Sequence, residues 1–343
     1  MSWVFEGTVL PTGDTARLTF GGDSGQRLPG RYAVPGLVDA HCHLTLAAGP
    51  NGPEPQGAAF ANGRLAELAS AGVSAVRDVG GNREVTLKLA RSTDDSRPRV
   101  LAAGRFLAPN GCYFPQAYEP VAPEDLLAAV EAEIADGATW LKLVGDFPAV
   151  GPDGPVRGSK VSPTYELDVV AAMVELAHSR DVRVAAHVNT DHVSGLIHAG
   201  IDSVEHGTAL TEEDLRALGA RGGAWTPTLC ASVTPGRKET PEQAARREAK
   251  SEYLASILPL AERYGVRVLT GSDVVGTVAR EIDLLVNHGL SVEQAITAAS
   301  VGAQEFLGLT GAGNLVTYDV DPRADPAVLA TPAAVVLNNR RIA

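Results

Sequence analysis

Six residues in this chain are of types that hold or bridge metal ions: His41, His43, Lys142, His187, His206 and Asp273. Side chains alternate across a β-strand, so two imidazoles two residues apart share a face and reach one ion, while Cys42 between them points away. By the same count Asp39 falls on the face of His41 and His43. Each residue alone has a plainer explanation. A histidine at a strand end is more often hydrogen-bonded packing than a ligand, a lysine more often snorkels to the rim, and an aspartate such as Asp273 more often caps the next helix. What argues for a metal is the conjunction: these six close the ends of five strand-like runs in a chain with only eight histidines. Of the other four, His192 and His198 are spaced too far apart to share a helix face, and His178 and His288 fall near helix ends. The cysteines Cys42, Cys112 and Cys230 show no paired spacing, so nitrogen and oxygen donors would hold any metal.

The elements that must position these residues recur along the chain. Apolar runs at residues 36–43, 73–79, 99–103, 139–144, 182–187, 202–206, 224–229 and 266–271 alternate with amphipathic stretches, including 123–136, 164–178 and 242–264. Such alternation predicts parallel βα units, and eight of them without a Gly-rich phosphate loop predict an α/β fold of the (β/α)₈ TIM-barrel type. In a barrel the chemistry lies at the C-terminal strand ends, where the six residues fall. Residues 278–288 and 292–307 read as two further helices. Short strand patterns at residues 3–5 and 16–20, with Leu315–Tyr318 and 334–338, predict a small β-sandwich flank built from residues 1–33 and 310–343 around a barrel at 34–309. The Gly- and Pro-rich connection at 145–163 has the length of a lid or substrate loop, and equally of a passive surface loop.

Composition narrows the partners. The chain has 343 residues, 45% apolar and 20% charged, the balance of a globular protein with one large core. A net charge of −12 disfavours nucleic acid and anionic membranes, which are bound by clustered Lys and Arg. No signal-peptide pattern opens the sequence and no apolar run is long enough for a membrane span. The expectation is a cytoplasmic enzyme acting on a small-molecule or peptide-like substrate, with a homo-oligomer open.

The sequence resembles the amidohydrolase superfamily, in particular its imidazolonepropionase-like and prolidase-like branch. The resemblance rests on Pro35-Gly36-Leu37-Val38-Asp39-Ala40-His41-Cys42-His43-Leu44, on Gly72 to Gly80, which contains Arg77-Asp78, and on Gly137 to Leu143. It continues through Ala186-His187, Glu205-His206-Gly207-Thr208, Pro227-Thr228-Leu229 and Thr270-Gly271-Ser272-Asp273. It implies a binuclear centre of two divalent ions, most commonly zinc. His41 and His43 would bind the buried ion, His187 and His206 the second, and a carbamylated Lys142 would bridge both. Asp273 would bind the first ion and shuttle the proton. The chemistry agrees: a lysine ammonium beside two cations is repelled, whereas carbon dioxide added to the neutral amine makes a bridging carboxylate. Two ions would supply hydroxide near neutral pH, and Asp273 would pass its proton to a leaving amine, hydrolysing a C–N amide bond in a peptide-like, N-acyl or cyclic substrate.

The chain departs from that branch after strand three, where members often carry Gly-Gly-His and this sequence reads Asn110-Gly111-Cys112-Tyr113. Arg105, Tyr113, Asn189 and Arg280 are the candidate substrate contacts. Two other readings compete. A mononuclear aminohydrolase that deaminates a nucleobase-like ring places a glutamate three residues after the strand-five histidine, where Thr190 stands here. A non-catalytic barrel would have lost ligands, and none of the six is missing.

Overall fold

The computed structural model describes residues 1–343 apart from 23, 152, 153, 157, 237 and 238. Eight parallel strands carry the site: β1 Leu37–Cys42, β2 Val73–Asp78, β3 Arg99–Ala102, β4 Trp140–Val144, β5 Arg183–Val188, β6 Ser203–His206, β7 Ala224–Thr226 and β8 Arg267–Val268. They form two ladders, β1-β2-β3 and β4-β5-β6-β7-β8. The second ladder begins with Phe106–Leu107, the continuation of β3, whose Phe106 pairs with Lys142. Backbone bonds also run between the ladders: Thr139 N donates to Ala102 O (3.1 Å), Ala40 N to Thr270 O (2.8 Å) and Asp273 N to His41 O (2.8 Å). The fold is thus α/β and barrel-like.

Alternation divides the apolar residues between two sides. Ala75, Leu101, Trp140, Ala185, Ala224 and Leu269 form an interior cluster, closed from below by Phe306 and Leu307 of the helix Val301–Leu307. Their alternates, among them Val76, Val100, Leu141, Val184, Val204 and Trp225, pack in a second cluster with residues of the surrounding helices. β1 breaks the pattern. Its pairing with β2 is irregular between Asp39 and Cys42, and Val38 and Ala40 join the interior cluster. The expectation that Asp39 shares the face of His41 and His43 therefore fails: the Asp39 carboxylate accepts bonds from Ser272 N (3.0 Å) and Ser272 Oγ (2.5 Å) instead.

Helix ends follow local chemistry. Thr211, Thr240 and Ser291 close capping boxes with Asp214, Gln243 and Gln294. The helix expected over 242–264 is two, Pro241–Ile257 and Leu260–Arg263, because Pro259 has no N–H to give to a continuing helix. The stretch 292–307 likewise splits into Val292–Ala298 and Val301–Leu307, with Ser300 far from helical geometry between them. The run 224–229 stops as a strand at Thr226, since Thr228 adopts φ 46. A hairpin of Leu46–Gly49 and Gly52–Pro55, for which the sequence reading had no element, follows β1.

The connection after β4 forms two small antiparallel pairs, Asp146–Pro148 with Val161–Pro163 and Val150–Gly151 with Gly154–Pro155. The part of the expected substrate loop at 152, 153 and 157 lies outside the described residues. The two chain ends meet in one seven-stranded sheet that includes Trp3–Val9, Asp14–Phe20, Tyr32–Pro35, Leu315–Tyr318 and Ala334–Leu337. Phe5, Phe20, Leu28, Leu315 and Val336 fill its core. No helix of the described residues is long and apolar enough to cross a membrane.

Candidate metal centre and active site

The strand ends bring all six expected residues to one cavity of about 180 Å³, lined by His41, His43, Lys142, His187, His206 and Asp273. One further side is aromatic and apolar, with Tyr113, Phe114, Leu46 and Pro53. His41, His43 and Asp273 each offer a ligand atom, and these atoms lie within 4.8 Å of one another. The His41 and His206 rings are 5.0 Å apart between centroids, and those of His187 and His206 are 4.5 Å apart. The backbone is shaped for this: His206 (φ 67), Thr228 (φ 46) and Asp273 (φ 54) are left-handed, a conformation that costs a non-glycine residue ~1–3 kcal/mol and gathers at functional sites. Gly271 is required for a different reason, since a Cβ there would lie 2.6 Å from the Cβ of His41.

Hydrogen bonds settle which imidazole nitrogens remain available. Glu205 Oε2 lies 2.6 Å from His41 Nδ1, and Gly80 O lies 2.7 Å from His43 Nδ1. Both oxygens are acceptors, so each Nδ1 carries the proton and each Nε2 keeps a lone pair. His206 Nδ1 is 2.6 Å from Thr228 Oγ1, whose own proton goes to Pro227 O, so His206 is held the same way. His187 differs, with Nε2 3.2 Å from the Asn189 amide and Nδ1 left over.

Electrostatics favour neutral imidazoles. Burial holds His41 and His206 well below the usual histidine pKa, with the neighbouring cationic groups adding to it. Burial likewise takes His187 down to about 3, and it lowers His43 against the pull of the Asp273 carboxylate. Lys142 is the odd member. Its amine is buried with no hydrogen-bond partner among the described residues. Burial takes its pKa down to about 8 even though Glu205 and Asp273 act to raise it.

Beneath the cavity lies a charged network that the sequence reading did not isolate. Glu205 Oε1 accepts from Arg77 Nη2 (2.7 Å) and Ser203 Oγ (2.6 Å), and the Arg77 guanidinium sits 4.3 Å over the Trp140 ring. Arg77 Nε donates to Ala40 O at 2.6 Å. Arg77, Glu205 and His41 are all buried. The available signal was a charged residue within each of two apolar strand runs, since a buried charge requires a partner.

Of the four residues expected to meet substrate, only Tyr113 reaches this cavity, with its ring 6.3 Å from that of His187. Asn189 stands behind His187 and accepts from Thr208 Oγ1 at 3.0 Å. Arg105 turns instead to the buried Glu133 carboxylate at 2.5 Å, and borders a neighbouring cavity. Arg280 is exposed and pairs with Asp283. Cys42 packs among the outer apolar cluster. His178 bonds Asp202, His198 bonds Ser194 O and His288 bonds Leu284 O; neither these nor His192 line the cavity.

Comparison with known proteins agrees with this architecture. An uncharacterized protein of Mycobacterium tuberculosis (strain ATCC 25618 / H37Rv) is 32% identical over 332 residues, covering 91% of this chain and 85% of the relative. Among solved structures, a Xaa-Pro dipeptidase with bound methionine superposes with TM-score 0.82 at 20% identity, over 99% of both chains. The ochratoxinase of A. niger gives 0.77 at 19%, over 99% of this chain and 95% of that one. At such identities the likeness is one of fold. The amidohydrolase family profile matches residues 32–317, and the chain belongs to the amidohydrolase family, hydrolases acting on carbon–nitrogen bonds.

Proposed function

We propose that this protein is a binuclear metal-dependent hydrolase of the prolidase-like branch that cleaves an acyclic or cyclic amide. The reading takes the two parallel ladders as one closed (β/α)₈ barrel over residues 34–309, with the terminal segments 1–33 and 310–343 as a composite flank. One observation carries it: the Lys142 amine, buried without a partner among the described residues, faces the cavity among four histidines and an aspartate. An orphaned buried amine costs on the order of 1–3 kcal/mol, so the site fits a group that would engage it.

His41, His43 and Asp273 would hold one divalent ion, and His187 and His206 a second, with Lys142 as a carbamate between them; zinc suits nitrogen-rich donors of this kind. When bound, two such ions lower the pKa of a shared water and polarise a carbonyl. The protein's own groups do the rest. Glu205, Gly80 and Thr228 keep three imidazoles in the tautomer with Nε2 open. The structure sets Asn189 Nδ2 against His187 Nε2, so for His187 to present Nδ1 the Asn189 amide would have to turn its oxygen to the ring and accept from Nε2–H. Thr208 tolerates this, because its hydroxyl also reaches the Asn189 backbone carbonyl at 3.2 Å. Asp273, beside His43 at 3.6 Å, accepts a proton at its carboxylate and returns it to the leaving amine.

Burial of Lys142 helps the carbamate form, since a pKa of about 8 leaves roughly a tenth of the amine neutral and nucleophilic at pH 7. Metal analysis joined to a screen of dipeptides, acyl amino acids and lactams tests the reading. About two ions per chain with amide hydrolysis is the expected result. One ion with ring deamination, or no metal and no turnover, would replace it.

A further inference from the structure

The catalytic cavity does not end at its ligands. At about 180 Å³ it is smaller than the ~300–1,000 Å³ typical of small-molecule sites, too small for an amide carrying groups on both sides. A second chamber of about 290 Å³ shares His43, Leu46, Asp273 and Val274 with it and extends to Phe60, Arg64 and Glu67. These three lie on the helix Ala58–Ser70 at positions i, i+4 and i+7, one stripe, while Ala61, Leu65 and Leu68 are buried. The hairpin after β1 supplies Ala47 and Ala48 to the same chamber.

Arg64 is the one cation among its described lining residues. The guanidinium makes a single hydrogen bond among the described residues, from Nη1 to Glu67 Oε2 at 3.0 Å. Its side chain is 30% exposed and that of Glu67 68%, so the pair is a weak surface contact with its cationic end turned inward. The rest of the guanidinium fork remains open in a chamber walled by Leu46, Ala47, Ala48, Phe60 and Val274 on its apolar side and by His43, Glu67 and Asp273 on its polar side. A monoanion fits here. Glu67 and Asp273 oppose any anion beside Arg64, a phosphate dianion about twice as strongly as a carboxylate, so a monoanion that reaches the open edge of the Arg64 fork is favoured.

We propose that Arg64 is a substrate-binding residue that receives a carboxylate on the amine side of the scissile bond. Which fragment lies there rests on the amide-hydrolase reading: Asp273, the group that protonates the leaving amine, stands at the opening between the chambers. The leaving amine then points toward Arg64, and the acyl group lies against Tyr113 and Phe114. The substrate class is an N-acyl amino acid or a dipeptide with a free carboxylate, in preference to a neutral lactam.

The test separates binding from turnover. N-methylsulfonyl-L-phenylalanine and its carboxamide, whose sulfonamide is not an amide substrate, are titrated calorimetrically into the metal-loaded protein, with metal content measured for every variant. The wild type should bind the acid about 10- to 100-fold more tightly than the carboxamide, the range of a hydrogen-bonded charge pair. Arg64→Met should bind the two alike, and Glu67→Gln, which releases Arg64, should tighten the acid by about two- to fivefold. Equal affinity of the wild type for both, or a preference that survives in Arg64→Met at unchanged metal content, overturns the subsite. Hydrolysis of N-acetyl amino acids is scored separately. Turnover without acid preference overturns the subsite and leaves the hydrolase reading, whereas Arg64-dependent binding without turnover does the reverse.

Discussion

Replacing Glu205 by glutamine exchanges one carboxylate oxygen for an amide nitrogen and should disable the site from below. The carboxylate serves two partners at once, His41 Nδ1 at 2.6 Å and Arg77 Nη2 at 2.7 Å, with Ser203 Oγ on the Arg77 side. A glutamine can offer its oxygen to only one. If the oxygen faces Arg77, the amide N–H₂ meets His41 Nδ1, which must then accept, moving the proton to Nε2 and removing the lone pair a metal needs. If the oxygen faces His41, two donors meet at Arg77. Either way one charge-assisted bond, about 1.5–3 kcal/mol, is lost. The Arg77 cation also loses its one buried counter-charge, a change that costs about 3–5 kcal/mol in folding. Loss of a partner behind a metal-binding histidine lowers affinity about 10- to 100-fold.

Two measurements separate these effects. Denaturant unfolding of the metal-free protein should show Glu205→Gln destabilised by several kcal/mol, and competition with a chelator should show the weakened metal affinity. The double variant Arg77→Met, Glu205→Leu removes both charges together. It should recover much of the stability, yet remain poor in metal, because His41 still lacks its acceptor. Wild-type metal affinity in Glu205→Gln, or recovery of affinity in the double variant, would refute the argument that Glu205 works through the His41 tautomer.

Three further outcomes are expected. Lys142→Met should lose about one metal ion per chain and any activation by bicarbonate, without destabilising the metal-free fold, since the amine it removes has no hydrogen-bond partner. The same variant carries a pH signature. The Lys142 pKa is about 8 folded against 10.5 unfolded, so between these values the unfolded chain binds more protons and wild-type stability gains from rising pH, by roughly 1 kcal/mol per unit; this gain, read as wild type minus Lys142→Met in the metal-free proteins, should vanish below pH 8, and a flat difference would remove the buried-amine account. Asp273→Asn should keep the circular dichroism of the wild type and lose about 10²- to 10⁴-fold in kcat/KM, the range of a general acid–base group; wild-type turnover would take Asp273 out of the proton path. Gly271→Ala should weaken metal binding by displacing β1, since its added methyl meets the Cβ of His41 at 2.6 Å and Thr226 Cγ2 at 2.7 Å; unchanged affinity would show that the strand yields elsewhere.

That six residues would share one cavity was legible because each is a rare residue type at or near the end of an apolar run, and period-two alternation makes strand ends readable one at a time. Their supports were not. Arg77 and Glu205 meet across 128 positions, so their partnership depends on which strands face each other, a property of the assembled fold and not of either run. Arg105 and Arg280 illustrate the converse: as isolated basic residues they suited a substrate carboxylate, but acids at Glu133 and Asp283 reach them first. Arg64 drew no notice for a related reason. An arginine with a glutamate three residues on reads as a solvated helix face, and only the hollow between that helix and the hairpin after β1 gives it a site to face. The hairpin itself, rich in Gly, Ala and Pro, lacks the β-branched and aromatic residues by which a strand is recognised.

The interior of this barrel-like fold is an unusual place to find an arginine, a glutamate, a lysine and three buried histidines, and their arrangement explains how they are tolerated. The lower half is apolar, with Trp140, Leu101, Leu269 and Phe306. Arg77 lies on this layer through the face of Trp140 and reaches upward only as far as Glu205, so its charge is neutralised before the cavity begins. Above it, each imidazole is tied by one nitrogen to the wall. For His41, His43 and His206 the tie is made through Nδ1, which leaves their Nε2 lone pairs free beside one unsatisfied amine. An arrangement selected for folding alone would have paired Lys142 with a carboxylate; Asp273 lines the same cavity and makes no such bond. The backbone of Asp273 is instead fixed to His41 O by its own N–H, holding the carboxylate beside His43 and away from the lysine. Leaving the Lys142 amine and the Asp273 carboxylate unpaired in one small cavity is a cost that folding does not require, and on the proposed reading it would be offset once the neutral amine carries a carbamate, so that both groups present oxygens to bound cations.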